Sequence, residues 1–250
     1  MVKSFLASFL LGLLSAKENF QLTIRHETIS APCAMNIVHL SDIHYPKQGV
    51  SLKSIVTVTK RCSPDIICLS GDLLDGSVRS FDEALRMFLE DLLEIAPVYY
   101  VRGNHEIRIN NLLEIEASMT KLGVTHLKRE QLDKVCLIGL DELNRYEVLK
   151  LDPSCFNIVL AHHPEDVKFL KKYESLDLML SGHGHGGQIR IGNQGLFAPG
   201  QGILPSLTKG LHVIHGRMRV NISAGIGMSS FKQRINNHPE IVLLRLVNKE

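Results

Sequence analysis

Residues 35–44 read Met35-Asn36-Ile37-Val38-His39-Leu40-Ser41-Asp42-Ile43-His44, an apolar run of strand length that stops at Ser41 and is followed by an Asp and a His two residues apart. So short an apolar run, bounded by polar residues, reads as a strand buried on both faces. The same pattern recurs downstream. Ile66–Leu69 runs into Ser70-Gly71-Asp72, and Val98–Val101 into Arg102-Gly103-Asn104-His105-Glu106. Ile158–Ala161 precedes His162-His163-Pro164, and Leu176–Leu180 precedes Ser181-Gly182-His183-Gly184-His185-Gly186-Gly187. Helical periodicity fills 51–62, 81–95, 106–122 and 165–173, with Ser80 and Glu83 spaced as a capping box for the second. Further strands are expected over 21–29 (half-exposed), Val135–Leu140, Gln188–Ile191, Leu211–Ile214, Val220–Ser223 and Ile241–Val247. Strands that alternate with helices make an α/β fold with mainly parallel pairing.

Parallel α/β sheets bind ligands beyond the carboxyl ends of their strands, where all five polar clusters fall. If the strands share sheets, two Asp, one Asn and up to six His converge on one edge. So many ionisable groups are costly to gather without neutralisation, and one or two divalent cations supply it. In D-x-H, residues i and i+2 can turn toward one ion, and H-x-H after a glycine does likewise. Asp72, with two carboxylate oxygens at the middle strand end, can bridge a pair. Imidazole and carboxylate donors together suit Mn, Fe, Zn or Co better than Ca or Cu(I). Two such ions roughly 3.5–4 Å apart hold a hydroxide between them and clamp a phosphate for in-line attack. Turn and capping chemistry is the other use of Asp, Asn and Gly after strands, and the ordered set argues against it.

Taken in order, D-x-H, G-D, G-N-H-E, H and G-H-x-H resembles the signature of the calcineurin-like metallophosphoesterases. Asp42/His44, Asp72, Asn104/His105, His162 and His183/His185 fill it. The S-D-I-H, H-H-P and G-H-x-H-G-G-Q-I pieces are similar to bacterial membrane-linked members of the YkuE/YaeI type, as is the tail Gly225-Ile226-Gly227, Arg234, Pro239-Glu240-Ile241. Gly184 stands where that group usually has Thr, a change expected to loosen the turn. The resemblance implies a four-layer α/β/β/α metallophosphoesterase sandwich, one domain over residues 21–250. It implies one ion held by Asp42, His44, Asp72 and His185, and a second by Asp72, Asn104, His162 and His183. Manganese is the first expectation, with Fe, Zn, Co or Mg as alternatives. His105 is the expected catalytic residue, giving a proton or hydrogen bond to the leaving oxygen. Asp75 either orients that imidazole or caps its loop. Arg102 and Arg190 are phosphate forks or solvated surface residues, and His163 is structural or touches substrate.

The implied reaction is hydrolysis of a phosphoester or phosphoanhydride. A lipid-linked phosphate is the expected substrate, with UDP-2,3-diacylglucosamine, an intermediate of lipid A synthesis, as the concrete candidate. The alternatives are a broad-specificity soluble or secreted phosphodiesterase or phosphomonoesterase, and a non-catalytic scaffold of the same fold. The scaffold predicts missing ligands, and none is missing here.

The rest of the chain bounds these readings. Its 250 residues are 44% hydrophobic and 22% charged with a net charge of +2, which excludes wholesale disorder and gives no basis for a nucleic-acid partner. Five cysteines without a C-x-x-C pair exclude a zinc ribbon, and Cys68 and Cys136 inside apolar runs read as inert buried thiols in a reducing compartment. His26, His39, His126, His212, His215 and His238 lie outside the signature and read as surface or core residues, His39 as a buried, hydrogen-bonded imidazole. Residues 1–20 form a hydrophobic leader. Its uncharged stretch between Lys3 and Lys17 is shorter than the roughly 20 residues a spanning helix needs. It reads as a retained anchor on a membrane surface, at the cytoplasmic face of the inner membrane, or as a signal cleaved after Ala16 on export. The apolar, Gly- and Pro-rich segment 195–207 covers an apolar substrate, enters a membrane surface, or packs as a hairpin on its own sheet.

Overall fold

In strand β2 (Met35–Leu40), Ile37 turns to one side and Val38 and Leu40 to the other, so both faces require an apolar cover. The computed structural model describes residues 20–228 and 233–248, in which two six-stranded sheets provide it. The first sheet runs β1 (Thr23–Ala31), β16 (Glu240–Asn248), β2, β3 (Ile66–Leu69), β4 (Val98–Tyr100), β5 (Thr125–His126). All its neighbours are parallel except β16 and β2. The second sheet runs β14 (Gly210–Ile214), β15 (Met218–Ile222), β9 (Leu176–Ser181), β8 (Phe156–Ala161), β7 (Val135–Leu140), β6 (Arg129–Leu132), with a parallel centre and antiparallel edges.

The sheets pack face to face. Ile37, Ile66, Cys68 and Val242 of the first meet Val135, Leu137, Ile158 and Leu180 of the second. Polar atoms in this layer are paired: Asn221 Nδ2 donates to His39 Nδ1 at 2.9 Å, and His39 Nε2 meets Ser70 Oγ at 2.6 Å. Burial, with the Arg25 charge, pushes His39 down to about 3, so it is the neutral, hydrogen-bonded core imidazole expected. All five cysteines are free thiols, and burial pushes the Cys68 thiol well above its ordinary value.

The outer face of the first sheet is covered by α1 (Leu52–Arg61), α2 (Glu83–Leu93) and α3 (Leu112–Leu122). Among the described residues the second is covered by the single turn α4 (Val167–Leu170) and the loop 141–155. The α/β/β/α order is present, with a thin fourth layer.

Three local expectations change. The N-cap of α2 is Asp82, whose side chain accepts the Leu85 N–H at 2.9 Å. It sits nearer the first turn than Ser80, and the Ser80–Glu83 box does not form. The helix expected over 106–122 is a 3₁₀ turn (Glu106–Arg108) followed by α3, because Glu106 is drawn into the protein interior. The helix expected over 165–173 is a 3₁₀ turn (Pro164–Asp166) and then α4. The leader lies, apart from Phe20, outside the described residues. Among the described residues no helix is long and apolar enough to cross a membrane.

Candidate metal centre

Asp42, Asp72 and Asn104 follow β2, β3 and β4 of one sheet, and His162 and His183 follow β8 and β9 of the other. Packed face to face, the two sheets bring these carboxyl ends together. Asp42 accepts the His183 N–H with both oxygens, at 3.1 and 3.0 Å, which ties one sheet's loop to the other's. The contact requires Gly182, since a Cβ there would lie 1.8 Å from Ser41 Oγ and 2.2 Å from Asp42 Oδ2. Gly103 is required likewise, with a Cβ 2.3 Å from Asp72 Oδ1. Asp42, His44, Asp72, His183 and His185 all have left-handed backbones, with φ of 51°, 56°, 53°, 66° and 43°. Each such residue costs about 1–3 kcal/mol, and five together mark a site whose geometry is held against local preference.

The donor atoms face one another. His44 Nε2 lies 3.1 Å from His185 Nε2, and His162 Nε2 lies 3.2 Å from His183 Nδ1. Asp72 Oδ2 stands between the pairs, 3.7 Å from His44 Nε2 and 3.2 Å from His162 Nε2, and His185 Nε2 is 3.5 Å from Asp42 Oδ1. His162 Nδ1 is directed at the Ser70 carbonyl at 3.0 Å, which keeps Nε2 as the inward donor. Asn104 Oδ1 is buried without a hydrogen-bond partner. Asp42/His44/His185, Asp42/Asp72/His162 and His162/His163/His183 each bring three donor atoms within 4.8 Å of one another. Converging lone pairs, an orphaned amide oxygen and two carboxylates fit divalent cations.

For three of the four donor histidines the electrostatics agree, and at His162 a bound cation would have to displace a proton. Burial pushes His44, His183 and His185 below the ordinary histidine range, so they are held neutral, the form that ligates. At His162 burial acts in the same direction, but the Asp72 and Asp42 carboxylates overcome it and raise the group to about 10. Burial works against ionisation of Asp72 too, and His162 and His44 nevertheless hold it well below the usual carboxylate range.

His105 lies beside this set, its ring 4.5 Å from that of His44 and its Nδ1 3.3 Å from Asp75 Oδ2. Asp75 also receives Lys47 Nζ at 2.7 Å. Burial disfavours its charge, but Lys47 and Ser77 hold the carboxyl low. His163 is brought in as well: its ring is 4.1 Å from His183, and Nε2 meets Glu142 Oε2 at 2.7 Å. The two arginines are not free forks. Arg102 binds Glu116 through Nε and Nη2 at 2.7 and 2.6 Å. Arg190 is buried, with Nη1 on Gly186 O and Thr208 Oγ1. Nor does Gly184 loosen its turn. Its φ of −78° is open to any residue, a Cβ would first meet Thr208 Cα at 3.4 Å, and Gly187 N–H still bonds Gly184 O at 2.8 Å.

Two positioning residues escaped sequence reasoning. Buried Glu106 accepts the N–H groups of Asp72, Leu74 and Gly103 at 3.0, 2.8 and 2.9 Å, joining the loops after β3 and β4. Burial, then the Asp72 charge, push it up to about 8. Its position in the G-N-H-E run was the available signal. Buried Arg234 donates to the carbonyls of Ala224, Gly225 and Gly227, and its Nη2 lies 3.5 Å from His185 Nδ1. Only the G-I-G…R spacing pointed to it.

A donor set of this kind at the edge of two packed α/β sheets defines a metal-dependent phosphoester hydrolase. Residues 35–187 match the model of the calcineurin-like phosphoesterase family, and the chain belongs to that family. It is 32% identical over 225 residues to the uncharacterized metallophosphoesterase YkoQ of Bacillus subtilis, covering 83% of this chain and 82% of that protein. It is 31% identical over 227 residues to the phosphodiesterase YaeI of Escherichia coli, covering 84% of this chain and 82% of that one. The crystal structure of a dimetal phosphatase from Danio rerio shares the fold with a TM-score of 0.50 at 13% identity, over 78% of this chain and 89% of that one.

Proposed function

We propose that the protein is a dinuclear phosphodiesterase acting on a lipid-linked phosphate at the cytoplasmic face of the inner membrane. The candidate substrate is UDP-2,3-diacylglucosamine, cleaved at its pyrophosphate to a lipid monophosphate and UMP. Asp42, His44, Asp72 and His185 would hold one ion, and Asp72, Asn104, His162 and His183 the other, with manganese the preferred metal. The ion pair, when bound, supplies Lewis acidity and a water acidic enough to act at neutral pH. His105 then directs a proton or hydrogen bond to the leaving oxygen, and Asp75 orients its ring from the Nδ1 side. Glu106 and Arg234 keep the ligand loops in register without touching substrate. The observation that carries this reading is the position of Asp72 Oδ2 between His44 Nε2 and His162 Nε2, where one carboxylate serves two sites.

The test is turnover by EDTA-stripped protein resupplied with Mn²⁺, Fe²⁺, Zn²⁺, Co²⁺ or Mg²⁺. UDP-2,3-diacylglucosamine in detergent is compared with bis-p-nitrophenyl phosphate. Both should be hydrolysed only with metal, the lipid nucleotide preferentially, and Asp72→Ala should lower turnover by about a thousandfold or more. Undiminished turnover by Asp72→Ala overturns the mechanism. Failure on the lipid nucleotide alone removes the substrate and leaves the hydrolase.

A further inference from the structure

Beyond the metal centre the chain builds two small hairpins from segments too short for a sheet. They are β10 (Arg190–Ile191) with β11 (Gln194–Gly195), and β12 (Phe197–Ala198) with β13 (Gly202–Ile203). The second is anchored at both ends beside site residues. Gly187, two residues past His185, accepts the Leu196 N–H, which sets the root of the hairpin against the G-H-x-H turn. At the tip, Gly200 (φ 73°) lies so close to Glu165 that a Cβ would come within 2.1 Å of Glu165 Oε1. Glu165 is two residues past His163, whose ring faces His183. Two residues span at most about 7 Å. The hairpin therefore runs along the mouth of the site on its His162/His163/His183 side.

Its side chains are wrong for a polar substrate. Phe197 and Ile203 are directly paired, hence on one face, and remain 51% and 82% exposed; the next residue, Leu204, is 61% exposed. Beneath Phe197 lies an apolar cavity of about 290 Å³ lined by Gly187, Gln188, Ile189, Leu196 and Phe197. An apolar cavity that opens two residues from a ligand-bearing turn suits the non-reacting part of a molecule whose phosphate reaches the donors.

We propose that this cavity and the Phe197/Ile203 pair bind the hydrocarbon chain of an amphiphilic phosphate ester. The β12–β13 hairpin is then the chain-binding wall of the substrate site. The proposal rests on the phosphoester-hydrolase reading above and extends it to a named subsite. The occupant is the chain of a single substrate molecule, since Gly187 and Gln188 of the cavity wall belong to the turn that starts at His185, and both anchors of the hairpin are site loops.

The test uses the Mn²⁺-loaded full chain and p-nitrophenyl phosphodiesters carrying a methyl or an octyl group, below the micelle concentration. The octyl ester should have at least tenfold higher kcat/KM than the methyl ester. Phe197→Ser and Ile203→Ser should each lower that octyl/methyl ratio about tenfold. Leu113→Ser, which changes an exposed apolar residue on α3, should leave the ratio at its wild-type value. A ratio near one in the wild type, or one unmoved in both hairpin variants, overturns the proposal while the hydrolase reading stands. A binding readout makes the result independent of turnover. The chain has no tryptophan, so Phe197→Trp is a unique reporter. Its emission should shift to the blue with octyl phosphate and not with methyl phosphate, even if the hydrolase reading itself fails. A shift given by phosphatidylcholine vesicles but not by monomeric octyl phosphate overturns the proposal in favour of a membrane-contacting surface.

Discussion

The two sheets have six strands each and very different covers. On the first, α1, α2 and α3 bury Ile55, Leu85, Phe88, Leu89, Ile115 and Met119 against the strands. On the second, α4 has four residues, and Leu143, Tyr146 and Phe169 near its carboxyl edge stay 69%, 66% and 41% exposed. The difference begins in the connections. Those of the first half are long enough to form helices that pack back on the sheet, whereas after β9 the chain turns through closely spaced glycines and prolines. The first sheet therefore gives the site a rigid foundation, and the second gives it an open, apolar mouth. Each also sets beside the donors one histidine outside the proposed ligand sets and close to a carboxylate: His105 Nδ1 lies 3.3 Å from Asp75, and His163 Nε2 lies 2.7 Å from Glu142.

The largest expected effect contrasts the two covers directly. Phe88→Ala, under the helices of the first sheet, should cost about 3–5 kcal/mol, and Leu170→Ala, in the single turn over the second, about 2 kcal/mol, because a short element can relax into the gap. Urea unfolding measures both, and an equal or larger loss at Leu170 breaks the contrast. Next, Asp75→Asn should lower kcat about ten- to hundredfold on bis-p-nitrophenyl phosphate by releasing His105, with Glu142→Gln lowering it less. The reverse order would make the second sheet's histidine the one that acts on the leaving group. The smallest effect lies between the sheets. His39 is depressed in the fold to about 3 from an ordinary value of 6.5, so the unfolded chain binds the extra proton below pH 6.5. Its contribution to stability is complete above that pH and is lost as pH falls from 6.5 toward 3. In thermal melts at pH 7 and pH 5, His39→Gln should show a smaller drop in Tm than the wild type. An equal drop would place the acid sensitivity elsewhere.

The site was legible because each donor follows a strand that the sequence itself marks. The run Met35–Leu40 ends at Asp42, Ile66–Leu69 at Asp72, and Ile158–Ala161 at His162, so β-periodicity and polar residue type point to one edge. The supporting residues were less legible because their partners are remote in sequence. Glu106 binds amides 32 and 34 residues away, Arg234 reaches back 49 residues to His185, and Arg102 reads as a phosphate fork until Glu116 is seen beside it. The Ser80–Glu83 box failed for a local reason: two acceptors competed for one helix start, and backbone geometry chose Asp82.

The amino-acid order alone determined the α/β character, the strands and the donor set, because strand burial and ligand type are properties of short segments. Tertiary structure decided what depends on distance. Face-to-face packing of two sheets set Asp72 between His44 and His162, and the chain's return across the donor edge set an apolar hairpin at its mouth. Neither relation exists until segments remote from one another in sequence are brought together, and no local periodicity encodes that approach.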